Sequence, residues 1–295
     1  MIGFSRITLR LRNVAGDLGW HIILIVILLS VSAYFKSSYL TYDILPGGDA
    51  GYHISVSKMT FESLPFIPLY DKFSRGSMPH LYPPATHYLV ALISRLTRME
   101  VQTAFKYTMF MINVLFVVPI YLIAYKIDGK LSAFVSGFFV AATPTFYEES
   151  LYGGFSAMNF GLLLAMISIY FIVSGRTKLA ILATALVFYA HPVTFTPLGI
   201  LLSAHYLWNT IVYILKRDIK MAKSMMLNYL NIVISVLGLS FWFLTLLYYP
   251  PMYPLGVGSA RRLSITSFLN AAYAILNFIK RRFPLTILFF GLFGG

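Results

Sequence analysis

Cysteine is absent from this sequence, and charged residues are scarce. Without thiols the chain has no disulfides and no thiolate metal site, and redox chemistry gives no indication of its compartment. Asp, Glu, Lys and Arg make up only 11% of the 295 residues, whereas 58% are hydrophobic and 17% are aromatic. A soluble domain of this size does not bury so much apolar surface. The composition therefore predicts a multi-pass integral membrane protein.

The apolar residues are grouped in runs long enough to cross a bilayer as helices. The first run has no small-residue cleavage site and predicts a retained signal anchor. The last run reaches Gly295 without a polar tail, which is typical of a span that is cut short. We expect an all-α bundle of about nine spans in a single transmembrane domain, 1–295. The runs lie at 18–37, 104–125, 131–147, 156–174, 178–195, 196–215, 227–249, 263–279 and 283–295.

Segment 82–96 is ambiguous because it is short and opens with two prolines, and its path decides the orientation of all later loops. If it does not cross and the N-terminus is cytoplasmic, fourteen of the 23 basic residues lie inside. If it crosses, only eight of the 23 do. The positive-inside rule favours the first arrangement. It makes residues 37–103 a long external loop with interfacial helices, in a cell membrane or, in a eukaryote, the endoplasmic reticulum.

The net charge of +13 is concentrated on the cytoplasmic side in this arrangement. The excess of basic residues is therefore first a signal of topology, and contact with anionic lipids in the bilayer is a further consequence. Binding to nucleic acid is not expected.

Asp49 is the centre of an unusual polar stretch, 43–62, that directly follows the first apolar run. Prolines and glycines precede Asp49 and predict an irregular turn. The following segment favours an amphipathic helix in the membrane interface. Asp49 and His53 are four residues apart, a spacing that suits a metal site or a catalytic base with an orienting partner. The alternative is that Asp49 caps the helix.

Glu148 and Glu149 lie at the outer end of the third predicted span. A carboxylate from this pair together with Asp49 provides the oxygen ligands that Mg²⁺ or Mn²⁺ prefers. We therefore consider these three residues candidate ligands of a divalent metal. The alternative is a solvated loop end.

Three histidines and one tyrosine are candidate substrate-binding residues, each with a structural alternative. His80 and Tyr82 precede Pro83 and Pro84, which fix an extended approach to a surface helix that carries His87. Aromatic anchoring at a helix start explains this cluster equally well. His191 lies at the outer end of the fifth predicted span, where it binds substrate or only contacts the interface. His21 and His205 are expected to be packing or interface residues.

Arg261 and Arg262 form an external pair beside a predicted span. Two guanidinium groups at this level match the phosphate of a lipid headgroup. The alternative is an interfacial anchor whose side chains reach toward water.

These motifs, in this order and on one side of the membrane, resemble the GT-C superfamily of membrane glycosyltransferases. D-A-G-Y-H at 49–53 is similar to the first acidic motif of oligosaccharyltransferase catalytic subunits. L-Y-P-P-A at 81–85 resembles the K-P-P-L segment of protein mannosyltransferases and aminoarabinose transferases, with Tyr82 in place of the lysine. Glu148 and Glu149 stand where those families have a second acidic site.

The resemblance implies an enzyme that transfers a sugar from a polyprenyl-phosphate-linked donor to an acceptor on the external face. Asp49 is then the catalytic carboxylate, which coordinates a metal or takes the proton of the acceptor hydroxyl. Arg261, Arg262 or the metal stabilises the departing phosphate. The acceptor, whether protein, lipid or glycan, is left open. A non-catalytic subunit of a membrane assembly and a transporter or flippase of lipid-linked substrates are the alternatives.

Overall fold

The computed structural model describes residues 2–43, 45, 47, 49–65, 70–71, 78–79, 83–143 and 156–239. These form ten helices and one pair of two-residue strands. The helices are α1 Ile2–Phe35, α2 Ser38–Thr41, α3 Ala50–Ser63, α4 Ala85–Thr97, α5 Val101–Leu115, α6 Val117–Ala142, α7 Ser156–Val173, α8 Thr177–Ala190, α9 Pro192–Leu215 and α10 Ile219–Leu239. Strand β1, Tyr70–Asp71, pairs antiparallel with β2, Met78–Pro79. All described residues lie in the unit Met1–Leu246, so the prediction of one domain over 1–295 stays a prediction.

The predicted apolar runs are largely helical where the structure describes them, although run 104–125 is divided between α5 and α6. The all-α membrane class is confirmed. Long apolar segments form helices in a bilayer because a helix satisfies its backbone hydrogen bonds internally. Among the described residues, three segments are long and apolar enough to cross a membrane: Val101–Ala142, Val193–Leu215 and Ile219–Gly238. Gly19–Phe35, Ala157–Val173 and Thr177–Ala190 are shorter apolar helices. The count of nine spans stays a prediction, and its last two runs lie outside the described residues.

Helix boundaries follow local chemistry. Gly129, with φ 85°, breaks α6 where the sequence predicts a short loop between its second and third spans. Gly175, with φ 70°, ends α7 in the left-handed conformation, and the next amide donates back to the carbonyl of Phe171. Pro192 occupies the first turn of α9, where no backbone donor is needed.

Helix α4 has 13 residues and a length of about 20 Å. It is therefore too short to cross a hydrocarbon core of about 30 Å. One face of α4 buries His87, Val90 and Ala91, whereas Leu92 and Leu96 on the other are 49% and 74% exposed. An amphipathic helix of this length matches the predicted juxtamembrane helix.

Within the described part of the chain, three apolar clusters hold the helices together. The first joins α2, α3, α4, α5 and α7 around the fully buried Phe105. The second joins α7, α8, α9 and α10, and the third packs α1 against α6 at Leu28. Large apolar side chains on the outer surface, such as Trp208 at 67% exposure, suit contact with lipid. The first cluster positions the candidate site because it fixes the start of α3.

Candidate active site

Asp49 stands immediately before α3, with its side chain exposed. Its backbone carbonyl accepts the first helical hydrogen bond, from the His53 amide at 3.0 Å. The carboxylate makes no capping hydrogen bond to the amides of α3. The structural alternative for Asp49, a side-chain helix cap, is therefore not adopted. An exposed carboxylate that is not used in capping is available to a ligand.

The turn before Asp49 is tied to α5. The Lys106 ammonium donates to the carbonyl of Tyr42 at 3.1 Å, and the Gln102 amide donates to the carbonyl of Asp43 at 3.2 Å. On the other side of Asp49, Ala50 is only 1% exposed and belongs to the first apolar cluster. The carboxylate is therefore carried by a backbone that is fixed both before and after it.

His53 and His87 form a buried pair beneath this turn. His53 is 2% exposed and His87 is fully buried. The Nδ1 atom of His53 lies 3.0 Å from the Nε2 atom of His87, and the two rings are tilted by 30° with centroids 5.2 Å apart. Phe105 stacks on His53 from α5, with 6.4 Å between centroids. The pair therefore connects α3 and α4 by a hydrogen bond inside an apolar environment.

Although Asp49 and His53 are four residues apart, they do not form one shared surface. Asp49, the residue before α3, is exposed, whereas His53 lies inside α3 and is only 2% exposed. His87, predicted as substrate-binding, faces His53 and not solvent. The catalytic and substrate-binding roles of these residues stay predictions; the structure shows the two buried histidines in contact with each other.

A divalent metal finds only part of a coordination sphere in the part of the chain that the structure describes. Asp49 offers one exposed carboxylate, and no group of three or more His, Cys, Asp or Glu side chains occurs among the described residues. The two further predicted ligands, Glu148 and Glu149, lie outside those residues. The described residues therefore do not by themselves fit a metal, and the predicted site stays a prediction.

His191 lies between α8 and α9, where its Nδ1 atom caps the second of these helices. This atom accepts a hydrogen bond from the Thr194 amide at 3.2 Å and lies 2.9 Å from the Thr194 hydroxyl. Burial lowers the pKa of His191 to about 4. Gly161 of α7 packs against this cap so closely that an added Cβ atom would lie 2.9 Å from Cβ of His191. His191 therefore has a structural role as a helix cap. Its role in substrate binding stays a prediction.

The remaining candidates lie outside the described residues. These are the substrate-binding candidates His80 and Tyr82, the carboxylates Glu148 and Glu149, and the arginine pair Arg261 and Arg262. Their predicted roles stay predictions.

Sequence analysis missed a polar cluster inside the bundle. Lys36, Asn113 and Asn159 are each no more than 4% exposed and line a common cavity. Each is an isolated polar residue in or beside an apolar run, which is the signal that identifies buried polar groups in membrane proteins.

Comparison with known proteins shows the fold. No family model and no curated protein matches the chain. Two solved structures from Archaeoglobus fulgidus do: the oligosaccharyltransferase AglB in complex with an inhibitory peptide and a dolichol-phosphate, and an oligosaccharyltransferase in the apo form. The first has 13% identity and a TM-score of 0.55 over 92% of this chain, and the second 14% and 0.52 over 90%. This chain spans 39% and 37% of their lengths. The chain therefore shares the fold of these oligosaccharyltransferases over most of its length, and the resemblance to oligosaccharyltransferase catalytic subunits inferred from its motifs is confirmed at the level of fold.

Proposed function

We propose that this protein is a membrane glycosyltransferase that moves a sugar from a polyprenyl-phosphate-linked donor to an acceptor on the external face of the membrane. The observation that carries the proposal is the placement of Asp49. It is an exposed carboxylate on a tethered turn after the first apolar helix, in a fold shared with an oligosaccharyltransferase. The complex of that protein with a dolichol-phosphate supports a lipid-linked donor.

In this proposal Asp49 is the catalytic base. Its carboxylate takes the proton of an acceptor hydroxyl as the oxygen attacks the anomeric carbon of the sugar. The new carbon–oxygen bond forms on the face opposite the donor phosphate. The old bond breaks, and its electron pair leaves with the polyprenyl phosphate. The proton remains on Asp49 until solvent removes it, so charge and atoms balance without a further reactant.

In this scheme His53 and His87 do not react with the substrate but hold Asp49 in place. Both side chains are buried, so the attacking hydroxyl does not reach them. Their hydrogen bond holds the first turn of α3 against α4, and this turn carries Asp49 at its start. The catalytic geometry depends on such support because small displacements of a reacting group reduce the rate strongly.

An apolar groove of about 310 Å³ suits the isoprenoid chain of the donor. It lies between α4, α7 and α8 and is lined by apolar and aromatic side chains, including Leu89, Phe160 and Tyr189. Helix α4 contributes both to this groove and to the His53–His87 pair. We propose that the lipid chain lies here; Arg261 and Arg262 stay the predicted partners of its phosphate.

A divalent metal remains part of the proposal as an electrostatic partner for the phosphate. Mg²⁺ or Mn²⁺ would neutralise charge on the leaving group, with Asp49, Glu148 and Glu149 as its proposed ligands. The proton transfer to Asp49 does not require it.

The test is sugar transfer in membranes that contain the protein and a radiolabelled polyprenyl-phosphate sugar. Asp49→Asn keeps the size of the side chain but removes its basicity, and we expect transfer to fall by about 100-fold or more. Asp43→Asn is the matched control, because Asp43 is an exposed carboxylate in the same polar stretch of sequence. Transfer by Asp49→Asn at the wild-type rate would remove the catalytic assignment. Failure of the wild type to transfer any label would favour a non-catalytic subunit.

A further inference from the structure

Lys36 is a buried cation at the end of α1. Only 3% of it is exposed. Its ammonium donates to the Ser32 hydroxyl at 2.7 Å and to the carbonyls of Val140 and Ala141 at 3.5 and 3.4 Å. Every one of these acceptors is neutral, and two of the three bonds are long. Within the described part of the chain, no carboxylate compensates this charge.

Such an arrangement needs a counter-charge to be favourable. A buried ammonium loses its hydration, and neutral oxygen atoms replace only part of that stabilisation. Intramembrane lysines are therefore typically paired or lie beside a polar cavity that has a function. Lys36 lines a cavity.

The cavity has a volume of about 240 Å³ and lies between α1, α5, α6 and α7. Lys36, Asn113 and Asn159 supply its polar groups. Its other lining is apolar: Phe116, Ile120, Val140, Leu162 and Met166. A cation and two amides in a hydrocarbon wall match a molecule with one anionic group and an apolar body.

The two asparagines are oriented by a hydrogen-bond chain. The Asn113 amide nitrogen donates to the carbonyl of Met109 at 2.9 Å and to the hydroxyl of Tyr39 at 3.2 Å. Its oxygen must therefore accept, and it does so from the Asn159 amide nitrogen at 2.8 Å. A primary amide has two N–H groups, so the second N–H of Asn159 remains for a ligand beside Lys36.

We propose that this cavity binds the head group of an acidic amphiphile, a carboxylate or monophosphate on a single hydrocarbon chain. The Lys36 ammonium forms the ion pair, and the Asn159 N–H donates a second hydrogen bond. Phe116, Ile120, Leu162 and Met166 contact the start of the chain. The site goes beyond the proposed transferase, because neither α3 nor α4 contributes to its lining.

The experiment measures binding of radiolabelled probes to the full chain in detergent micelles. Oleate tests the carboxylate, farnesyl phosphate the monophosphate, and farnesol has the same chain without charge. We expect at least one of the two anions to bind and farnesol to bind at least about tenfold more weakly. Equal binding of farnesol and both anions would overturn the proposal. Displacement by inorganic phosphate as effectively as by farnesyl phosphate would show a site for free anions and would also overturn it.

Variants distinguish binding of the probe in the cavity from its nonspecific partition into micelles. Lys36→Met removes the charge at similar length, and we expect affinity for the anion to fall at least about tenfold. Lys106→Met is the control, because Lys106 also donates to a backbone carbonyl but does not line the cavity. Leu162→Trp fills the cavity and keeps Lys36, so it tests the site even if Lys36→Met does not fold. Unchanged binding in Leu162→Trp or Lys36→Met would overturn the assignment.

Discussion

The Nδ1 atom of His53 and the Nε2 atom of His87 are 3.0 Å apart in a region from which water is excluded. At this distance the N–H of one ring donates a hydrogen bond to the bare nitrogen of the other, so the two rings have complementary tautomers. The contact joins residues that are 34 positions apart. It makes the position of Asp49 depend on α4 as well as on α3.

Removal of one ring from this pair should destabilise the protein. His87→Ala leaves the His53 nitrogen without this partner and opens a cavity, so we expect a loss of about 2–4 kcal/mol in the free energy of unfolding. Thermal unfolding in detergent measures it. His205→Ala is the control, because His205 is exposed, and its melting temperature should stay near that of the wild type. Equal melting temperatures for the two variants would contradict a structural role of the pair.

The helix cap at His191 should make stability depend on pH. Burial lowers the pKa of His191 from its ordinary value of about 6.5 to about 4. The unfolded chain therefore takes up this proton at a higher pH than the folded chain, and stability falls as the pH drops from about 6.5 to about 4. Above about pH 6.5 the contribution is fully present.

His191→Asn tests this dependence, since asparagine also caps helices but does not titrate. Between pH 7.5 and pH 5 the melting temperature of the wild type should fall more than that of the variant. All other titrating groups are common to both proteins and cancel in the comparison. Parallel curves would show that His191 is not held neutral by the fold.

Gly161 is required for the contact between α7 and the His191 cap. A Cβ atom at this position would lie 2.9 Å from Cβ of His191 and 3.2 Å from both Cβ and Oγ1 of Thr194. The two Cβ atoms are bonded directly to the backbone, so no side-chain rotation moves them away. Gly161→Ala should therefore destabilise the protein by about 1–3 kcal/mol.

Gly19→Ala provides the comparison for that substitution. A Cβ atom at Gly19 meets nothing within 4 Å, and alanine is the better helix former by about 1 kcal/mol. Thermal unfolding should therefore show opposite changes for the two alanine variants. Destabilisation of similar size in both would indicate that close packing at Gly161 is not the cause.

The predicted topology can be tested by labelling, because the chain contains no cysteine. Asp43→Cys and Lys220→Cys place single thiols at exposed positions before α3 and in α10. In intact cells we expect a membrane-impermeant maleimide to label only Asp43→Cys, and after permeabilisation both. Labelling of Lys220→Cys in intact cells would place the two positions on the same side and contradict the orientation inferred from the basic residues.

Helix positions were predictable because they depend on local hydropathy. The predicted runs 156–174 and 196–215 correspond to Ser156–Val173 and Pro192–Leu215. The short α4 was predictable for the same reason, since two prolines precede a segment too short to cross the bilayer. The burial of His53 beside an exposed Asp49 was not, because it depends on how α4 and α5 pack against α3.

The sequence alone determined that this protein is a helical membrane bundle and that Asp49 follows its first apolar helix, because composition and hydropathy act along the chain. Only the tertiary structure decided that His53 meets His87 and that Lys36 shares a cavity with Asn113 and Asn159. These contacts join residues distant in sequence. Their pairing depends on which helix faces pack together, and no local pattern encodes that choice.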